Sequence, residues 1–167
     1  DAKLGIFIHW GAYSVPGIAL EGYAEWYPHF MYKNEETREY HLKTYGPDIG
    51  YADFIEEFRA EKWDPDAWAE LFFKAGAKYI APVAEHHDGF AMWDSDLTTW
   101  DARERGPKRD IIGELGRSVR ARGMKYAPSY HRERHFWYFD SAMVANEIEA
   151  NPELADLYGP FSLTRDF

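Results

Sequence analysis

The fold is decided by one stretch in the middle of the chain, GAKYIAPVAEHHDG at residues 76–89. It opens with a glycine, continues through the run 77–84, which is apolar apart from Lys78, and ends in the polar residues 85–88. The apolar run has the length of a strand and no helical spacing. We interpret residues 77–84 as a buried strand whose carboxyl end carries chemically active side chains.

An amphipathic helix is predicted immediately before this strand. Asp64 stands at the N-cap position, Pro65 follows it at the first helical position, and Gly76 stands where the helix should stop. Between them, apolar residues recur with the i, i+3, i+4, i+7 spacing of one helical face. That predicted face consists of Trp68, Leu71, Phe72 and Ala75.

The same unit recurs 47 positions later, where GMKY at 123–126 nearly copies GAKY at 76–79. It has a helical face formed by Ile111, Ile112, Leu115 and Val119, and a strand predicted over residues 124–130. Residues 4–9, LGIFIH, form an earlier apolar run that we also interpret as a buried strand. Strands that alternate with helices predict an α/β fold with a parallel sheet and right-handed crossovers.

A long aromatic segment follows the first strand. Phe, Tyr and Trp make up 30 of the 167 residues, and many lie between Trp10 and about Tyr51 in sequence that indicates neither helix nor strand. A strand-to-helix connection usually has about 2–6 residues. The length of this segment therefore predicts a functional loop.

Composition excludes several classes of function. The formal net charge is −10, which argues against a nucleic-acid partner. The chain has no cysteine, so it can form neither a disulfide nor a thiolate metal site. It also has no apolar run near the roughly 20 residues of a membrane span. We predict a neutral small-molecule partner, with no cofactor and no membrane.

Polar residues gather where the three predicted strands end. The histidines are His9, His86, His87 and His131, and the acids are Glu85, Asp88 and Glu133. The carboxyl ends of parallel strands meet at one edge of a sheet, where α/β proteins bind their ligands. We therefore expect these side chains to share a site.

Three interpretations of this edge remain open. His86, His87 and Asp88 could bind a metal together with His9, although adjacent side chains diverge and no zinc-motif spacing is present. Alternatively, the imidazoles are only hydrogen-bonded at strand ends. In the third interpretation, imidazole, carboxylate and indole groups bind the hydroxyls of a sugar while aromatic faces cover its apolar side. The aromatic segment favours the sugar site.

Ordered sequence blocks carry a resemblance to a known family. The blocks are GIFIHWGAYSVP at 5–16 with AEWY at 24–27, ADF at 52–54, WDPDAWA at 63–69, AGAKY at 75–79, HHDGF at 86–90 and PKRDI at 107–111. Together they resemble the α-L-fucosidases of glycoside hydrolase family 29, over about residues 3–160.

The resemblance implies an eight-stranded (β/α)8 barrel of the TIM type, of which residues 1–167 are a partial catalytic domain truncated at both ends with about the first three βα units. It implies an exo-acting enzyme that releases terminal α-linked L-fucose from fucosylated oligosaccharides or glycoconjugates with retention of configuration. A secreted, periplasmic or lysosomal location is also implied, with the leader outside this chain. No oligomeric state follows.

The resemblance also implies the site residues. Fucose hydroxyls are expected to contact His9, Glu25, Trp26, His86 and His87, joined by Tyr130 or His131. The nucleophilic aspartate and the acid/base are expected beyond Phe167, so the isolated chain should be inactive, with no catalytic residue and no metal ligand. Two alternatives stay open: a catalytically inactive carbohydrate-binding barrel, and a metal-dependent hydrolase that uses the histidines.

Overall fold

The computed structural model describes residues 2–20, 22–139 and 141–159. The strands pair in parallel, and helical segments separate the first strand from the second and the second from the third, as predicted. The strands are β1 (Gly5–Ile8), β2 (Tyr79–Glu85), β3 (Lys125–Tyr126) and β4 (Ser129–Tyr130); the helices are α1 (Tyr27–Lys33), α2 (Glu35–Thr44), α3 (Tyr51–Glu57), α4 (Pro65–Lys74), α5 (Ile111–Ala121), α6 (His135–Tyr138), α7 (Ser141–Ala150) and α8 (Leu154–Tyr158).

The central strand of the sheet is β2. It pairs in parallel with β1, from Gly5 opposite Tyr79 to Ile8 opposite Pro82, and on its other side with β3 and then β4. The single strand predicted over residues 124–130 is therefore wrong in detail. Pro128 has no N–H to donate to the ladder, and the register shifts between Val83 and Glu85, so the strand is divided into two short pieces.

Helices α4 and α5 pack against each other, and α5 also packs against β2. The predicted face of α5 is confirmed, because Ile111, Leu115 and Val119 are all buried. Beside them, the Tyr126 hydroxyl donates to the Ile112 carbonyl at 2.7 Å. Gly123 has a φ of 73°, a left-handed conformation that glycine adopts without a steric penalty, and it terminates the helical segment.

Helix α4 forms where it was predicted, with the Asp64 side chain accepting from the Ala67 backbone N–H at 2.9 Å. Its predicted face is partly wrong, because Leu71 is 65% exposed and Ala75 is exposed as well, while Ala69 and Phe72 are buried. At about 100° per residue, Trp68, Ala69 and Phe72 share one side of the helix. Leu71 lies roughly 100° from the centre of that side.

The two faces of the sheet differ. Ile80 faces the helices and is fully buried, whereas Phe7 and Tyr79 on the opposite face are 55% and 40% exposed. The Tyr79 ring lies across Gly5, the residue opposite it in β1. The prediction that the first strand is buried is therefore wrong, because helices cover only one face of β1 and only β2 pairs with it within the described residues.

The segment between β1 and α4 is more regular than its sequence indicates. The prediction of an irregular loop is wrong over α1, α2 and α3. Asn34 caps α2 by accepting from the Thr37 backbone N–H at 2.8 Å, and the acidic pair Glu35 and Glu36 occupies the first turn. These are ordinary start signals for a helix, which the aromatic content of the segment obscured.

The sequence also predicts a helix around residues 141–150, and α7 confirms it. The sequence also predicts no fourth apolar strand before Phe167, and this prediction falls in part on residues 160–167, which lie outside the described ranges. Among the helices that the structure describes, none combines the length and the apolar character that a membrane crossing requires.

Candidate functional site

The four predicted histidines converge at the carboxyl edge of the sheet. The His86 ring lies centrally, with its centroid 5.7 Å from that of His9, 4.5 Å from that of His87 and 5.2 Å from that of His131. The rings of His9 and His131 are 5.5 Å apart. Because β1, β2 and β4 run parallel, the residues that follow their last positions reach one common edge.

Burial sets the chemical state of His86. Its side chain is almost fully buried, and its Nδ1 atom has no hydrogen-bond partner among the described residues. Burial, followed by the neighbouring imidazoles of His87, His131 and His9, lowers the pKa of His86 to about 2. The ring is therefore neutral, with one donor nitrogen and one acceptor nitrogen.

His87 and His131 are held by local hydrogen bonds. The His87 Nδ1 atom lies 2.5 Å from the His131 carbonyl oxygen, to which it can only donate. The Nε2 atom of His131 lies 2.8 Å from the Ser129 hydroxyl. Burial lowers the pKa of both imidazoles below the usual value, so both rings are neutral at pH 7.

The aromatic segment brings Glu25 and Trp26 to the same edge. The Trp26 ring centroid lies 5.4 Å from that of His87 and 5.3 Å from that of Tyr138. The Tyr138 hydroxyl donates to the Glu25 carbonyl at 2.7 Å, which fixes the short 3-10 turn that carries both residues. The Glu25 carboxylate is close enough to act electrostatically on His131 and on Tyr13.

Of the two candidates at the end of the third strand, only His131 lies in the cluster. Tyr130 is 58% exposed, and its ring packs near Trp93 with the centroids 6.3 Å apart. Consecutive side chains in extended backbone point to opposite sides. The geometry therefore separates Tyr130 from the histidines.

Two buried acids, Asp88 and Glu85, lie beside the histidines in the sequence and form contacts of their own. Asp88 is buried and accepts from the Tyr51 hydroxyl at 2.5 Å, and burial raises its pKa to about 7. Glu85 is buried and pairs with Arg132 at 2.8 Å. Burial raises the pKa of Glu85, while Arg132 opposes that rise.

Sequence reasoning missed several of these supporting residues. Tyr138 is fully buried, and its ring lies 6.1 Å from that of His86 and 5.6 Å from that of His87, between centroids. Tyr51 and Arg132 were also not singled out. The run of aromatic residues that ends with Phe139 was a signal for Tyr138, whereas the partners of Tyr51 and Arg132 are distant in sequence.

The structure also defines which residues could hold a metal. His9, His86 and His131 each offer one ligand nitrogen, and these nitrogens lie within 4.8 Å of one another. The set differs from the one considered on the sequence, because His131 replaces His87 and Asp88. The Asp88 carboxylate instead accepts from Tyr51 and from the Phe90 backbone N–H.

Comparison with known proteins identifies similar chains. A sequence family described as Alpha-L-fucosidase matches residues 1–160. The α-L-fucosidase of Dictyostelium discoideum is 42% identical over 91% of this chain and 34% of its own length. The tissue α-L-fucosidase of Bos taurus is 39% identical over 94% of this chain and 35% of its own length.

A solved structure matches the fold as well. The crystal structure of Thermotoga maritima α-fucosidase in complex with fucose aligns with a TM-score of 0.75 at 40% identity. The alignment covers 95% of this chain and 43% of that one. This chain thus spans about a third of the length of the curated relatives it matches.

Proposed function

Since this chain belongs to the α-L-fucosidase family, we propose that the protein that carries it is a glycoside hydrolase that releases terminal α-linked L-fucose from oligosaccharides or glycoconjugates. The observation that supports this most directly is the convergence of His9, His86, His87 and His131 with Glu25 and Trp26 at one edge of the sheet.

The chemistry of this edge suits a deoxyhexose. Neutral imidazoles each carry one donor and one acceptor, and a sugar hydroxyl needs both kinds of partner. The Glu25 carboxylate can accept strong hydrogen bonds from two hydroxyls. The face of Trp26 offers an apolar surface to the methyl group and the C–H groups of fucose.

We further propose that the sheet belongs to a (β/α)8 barrel that the rest of the protein completes. Parallel sheets are normally covered on both faces. Here helices cover one face, while Phe7 and Tyr79 are exposed on the other. This is expected for part of a barrel, because the inner face of its sheet is covered only when the other strands are present. Residues 1–167 would then be a partial catalytic domain. We call the polypeptide with all the barrel strands the complete protein.

Retaining hydrolysis requires two carboxyl groups about 5–5.5 Å apart, one as nucleophile and one as acid/base. We assign both to the complete protein beyond Phe167. In this assignment Glu25 binds sugar hydroxyls. The histidines hold the sugar so that its anomeric carbon faces the strands that the rest of the complete protein supplies. The location of the protein outside the cytoplasm stays a prediction.

Hydrolysis of an aryl α-L-fucoside tests the proposal. The complete protein should release the aryl group with retained configuration in the first-formed sugar, as followed by NMR, and the isolated 167-residue chain should not. Turnover by the isolated chain would refute the assignment of the nucleophile. A complete protein that binds L-fucose without turnover would instead be an inactive carbohydrate-binding barrel.

A further inference from the structure

We propose that His9, His86 and His131 form a binding site for a divalent transition-metal ion of the zinc type, and that this ion and the sugar exclude each other. The exclusion rests on the proposed function, whereas the metal site does not. In this proposal the metal is an inhibitor rather than a cofactor.

The spacing of the three histidines is close to that of a zinc site. Three imidazole nitrogens, one from each histidine, lie within 4.8 Å of one another. In a tetrahedral zinc site with Zn–N bonds of about 2.0–2.1 Å, ligand nitrogens are about 3.3 Å apart. The rings must therefore close in by about 1.5 Å or less. The His9 side chain is exposed, so it can make most of this movement.

An independent observation points to a ligand at this place. The Nδ1 atom of His86 is buried without a hydrogen-bond partner among the described residues, although buried polar atoms in proteins are almost always paired. An unpaired acceptor or donor in the interior destabilises the folded state, because its hydrogen bond to water is lost and not replaced. A bound group near this imidazole would relieve that destabilisation.

The His131 ring is held by a hydrogen bond on one nitrogen, as the imidazole ligands of metal sites usually are. The Ser129 hydroxyl bonds to Nε2 of His131 at 2.8 Å, which orients the ring and leaves its other nitrogen available. His87 is not in the set, because the ligand nitrogens that lie together are those of His9, His86 and His131. Three ligands on three different strand ends leave a fourth position open, as in zinc sites that keep an exchangeable ligand.

The ligand set also predicts which ions bind. Imidazole suits zinc, copper, nickel and cobalt, with copper expected to bind most tightly. Magnesium and calcium prefer oxygen ligands and should not bind here. The same nitrogens are the ones proposed to contact fucose hydroxyls, so an ion held by them occupies the space and the hydrogen-bonding atoms of the sugar.

Titration of the complete, metal-stripped protein with Co²⁺ tests the site, because tetrahedral cobalt absorbs strongly in the visible range. One equivalent should bind, and His9→Gln or His86→Gln should each lower the affinity at least about tenfold. His41→Gln is the matched control, since His41 lies in α2, bonded to Tyr27 and Ile49, and its loss should leave cobalt binding unchanged. Mg²⁺ alone should not displace the ion.

Three outcomes decide the matter. Cobalt binding that persists in both cluster variants, or that is lost equally in His41→Gln, overturns the metal site. If L-fucose binds to the protein but leaves cobalt affinity unchanged, mutual exclusion is wrong. If the protein binds cobalt through the cluster but shows no affinity for L-fucose by calorimetry, the metal site stands and the proposed function fails.

Discussion

At the residue scale, the neutral state of the histidines is the property that matters most. Burial lowers the pKa of His86, His87 and His131, so none of them needs a counter-ion at pH 7. A neutral ring can accept a hydrogen bond from a sugar hydroxyl as well as donate one, whereas an imidazolium can only donate. The cluster is thus suited to hydroxyls rather than to anionic ligands.

The first prediction concerns two residues of the site. His87→Ala or Glu25→Ala in the complete protein should weaken L-fucose binding by about tenfold or more, because each removes a hydrogen bond worth about 1.5 kcal/mol when charge or burial strengthens it. Calorimetry measures the affinity, and thermal unfolding measures the stability. If each variant's loss of affinity were accompanied by a large fall in melting temperature, the loss would reflect destabilisation of the fold and would contradict a role in the site.

A second prediction separates Tyr130 from His131. His131→Ala should weaken L-fucose binding strongly, and Tyr130→Ala should change it by less than about threefold, because only His131 lies against His9 and His86. The same calorimetric titration compares both variants. A larger loss in Tyr130→Ala than in His131→Ala would reverse the assignment.

At the element scale, polar contacts connect the helices and strand ends that carry the site. The Tyr51 hydroxyl joins α3 to Asp88 after β2, and Arg132 joins the end of the third strand to Glu85 in β2. Tyr51 and Asp88 are both buried, so water does not compete for the hydrogen bond between them. These contacts keep His86 and His131 at fixed positions.

A third prediction follows from the buried Tyr51 contact. Tyr51→Phe should lower the free energy of unfolding by about 1–3 kcal/mol, since it leaves a buried Asp88 oxygen without its donor. Chemical denaturation of the complete protein measures the change. Tyr23→Phe is the matched control, because Tyr23 is 61% exposed, and it should change the unfolding free energy by less than about 0.5 kcal/mol.

The fourth prediction concerns pH. Burial lowers the pKa of His41 in α2 below its unfolded value of 6.5, and the ring accepts from the Tyr27 hydroxyl while donating to the Ile49 carbonyl. The unfolded state therefore binds a proton more readily, so stability is full above pH 6.5 and falls as the pH drops from there towards the folded pKa.

Thermal unfolding at pH 7.5 and pH 5 checks this linkage. The wild-type protein should lose more of its melting temperature between the two values than His41→Gln does, because glutamine does not titrate. An equal loss in the two proteins would show that other groups account for the acid sensitivity.

At the scale of the whole molecule, the open face of the sheet is the dominant feature. Phe7 and Tyr79 are 55% and 40% exposed on this face. In the proposed barrel, the remaining strands and side chains would cover this face. An uncovered apolar face next to strand edges invites association.

The fifth prediction uses this exposure. The isolated 167-residue chain should self-associate, as measured by light scattering after gel filtration, and Phe7→Lys should reduce the association because it places a charge on the open face. An isolated chain that stays monomeric at high concentration would argue that the open face needs no further strands.

The sequence by itself determined the family, the α/β alternation and the identity of the convergent histidines. The motifs at 5–16, 75–79 and 86–90 are local, and local patterns of caps, glycines and apolar runs report directly on local structure. The family prediction is confirmed by the match over residues 1–160.

Only the tertiary structure decided which faces are buried and which side chains meet. Leu71 and Phe7 are apolar but exposed, since burial depends on what packs against an element and not on the element's own pattern. Tyr51 and Asp88 lie 37 positions apart, and Glu85 and Arg132 lie 47 apart. Such contacts arise from the packing of distant segments, because a residue's spatial neighbours are set by the path of the whole chain.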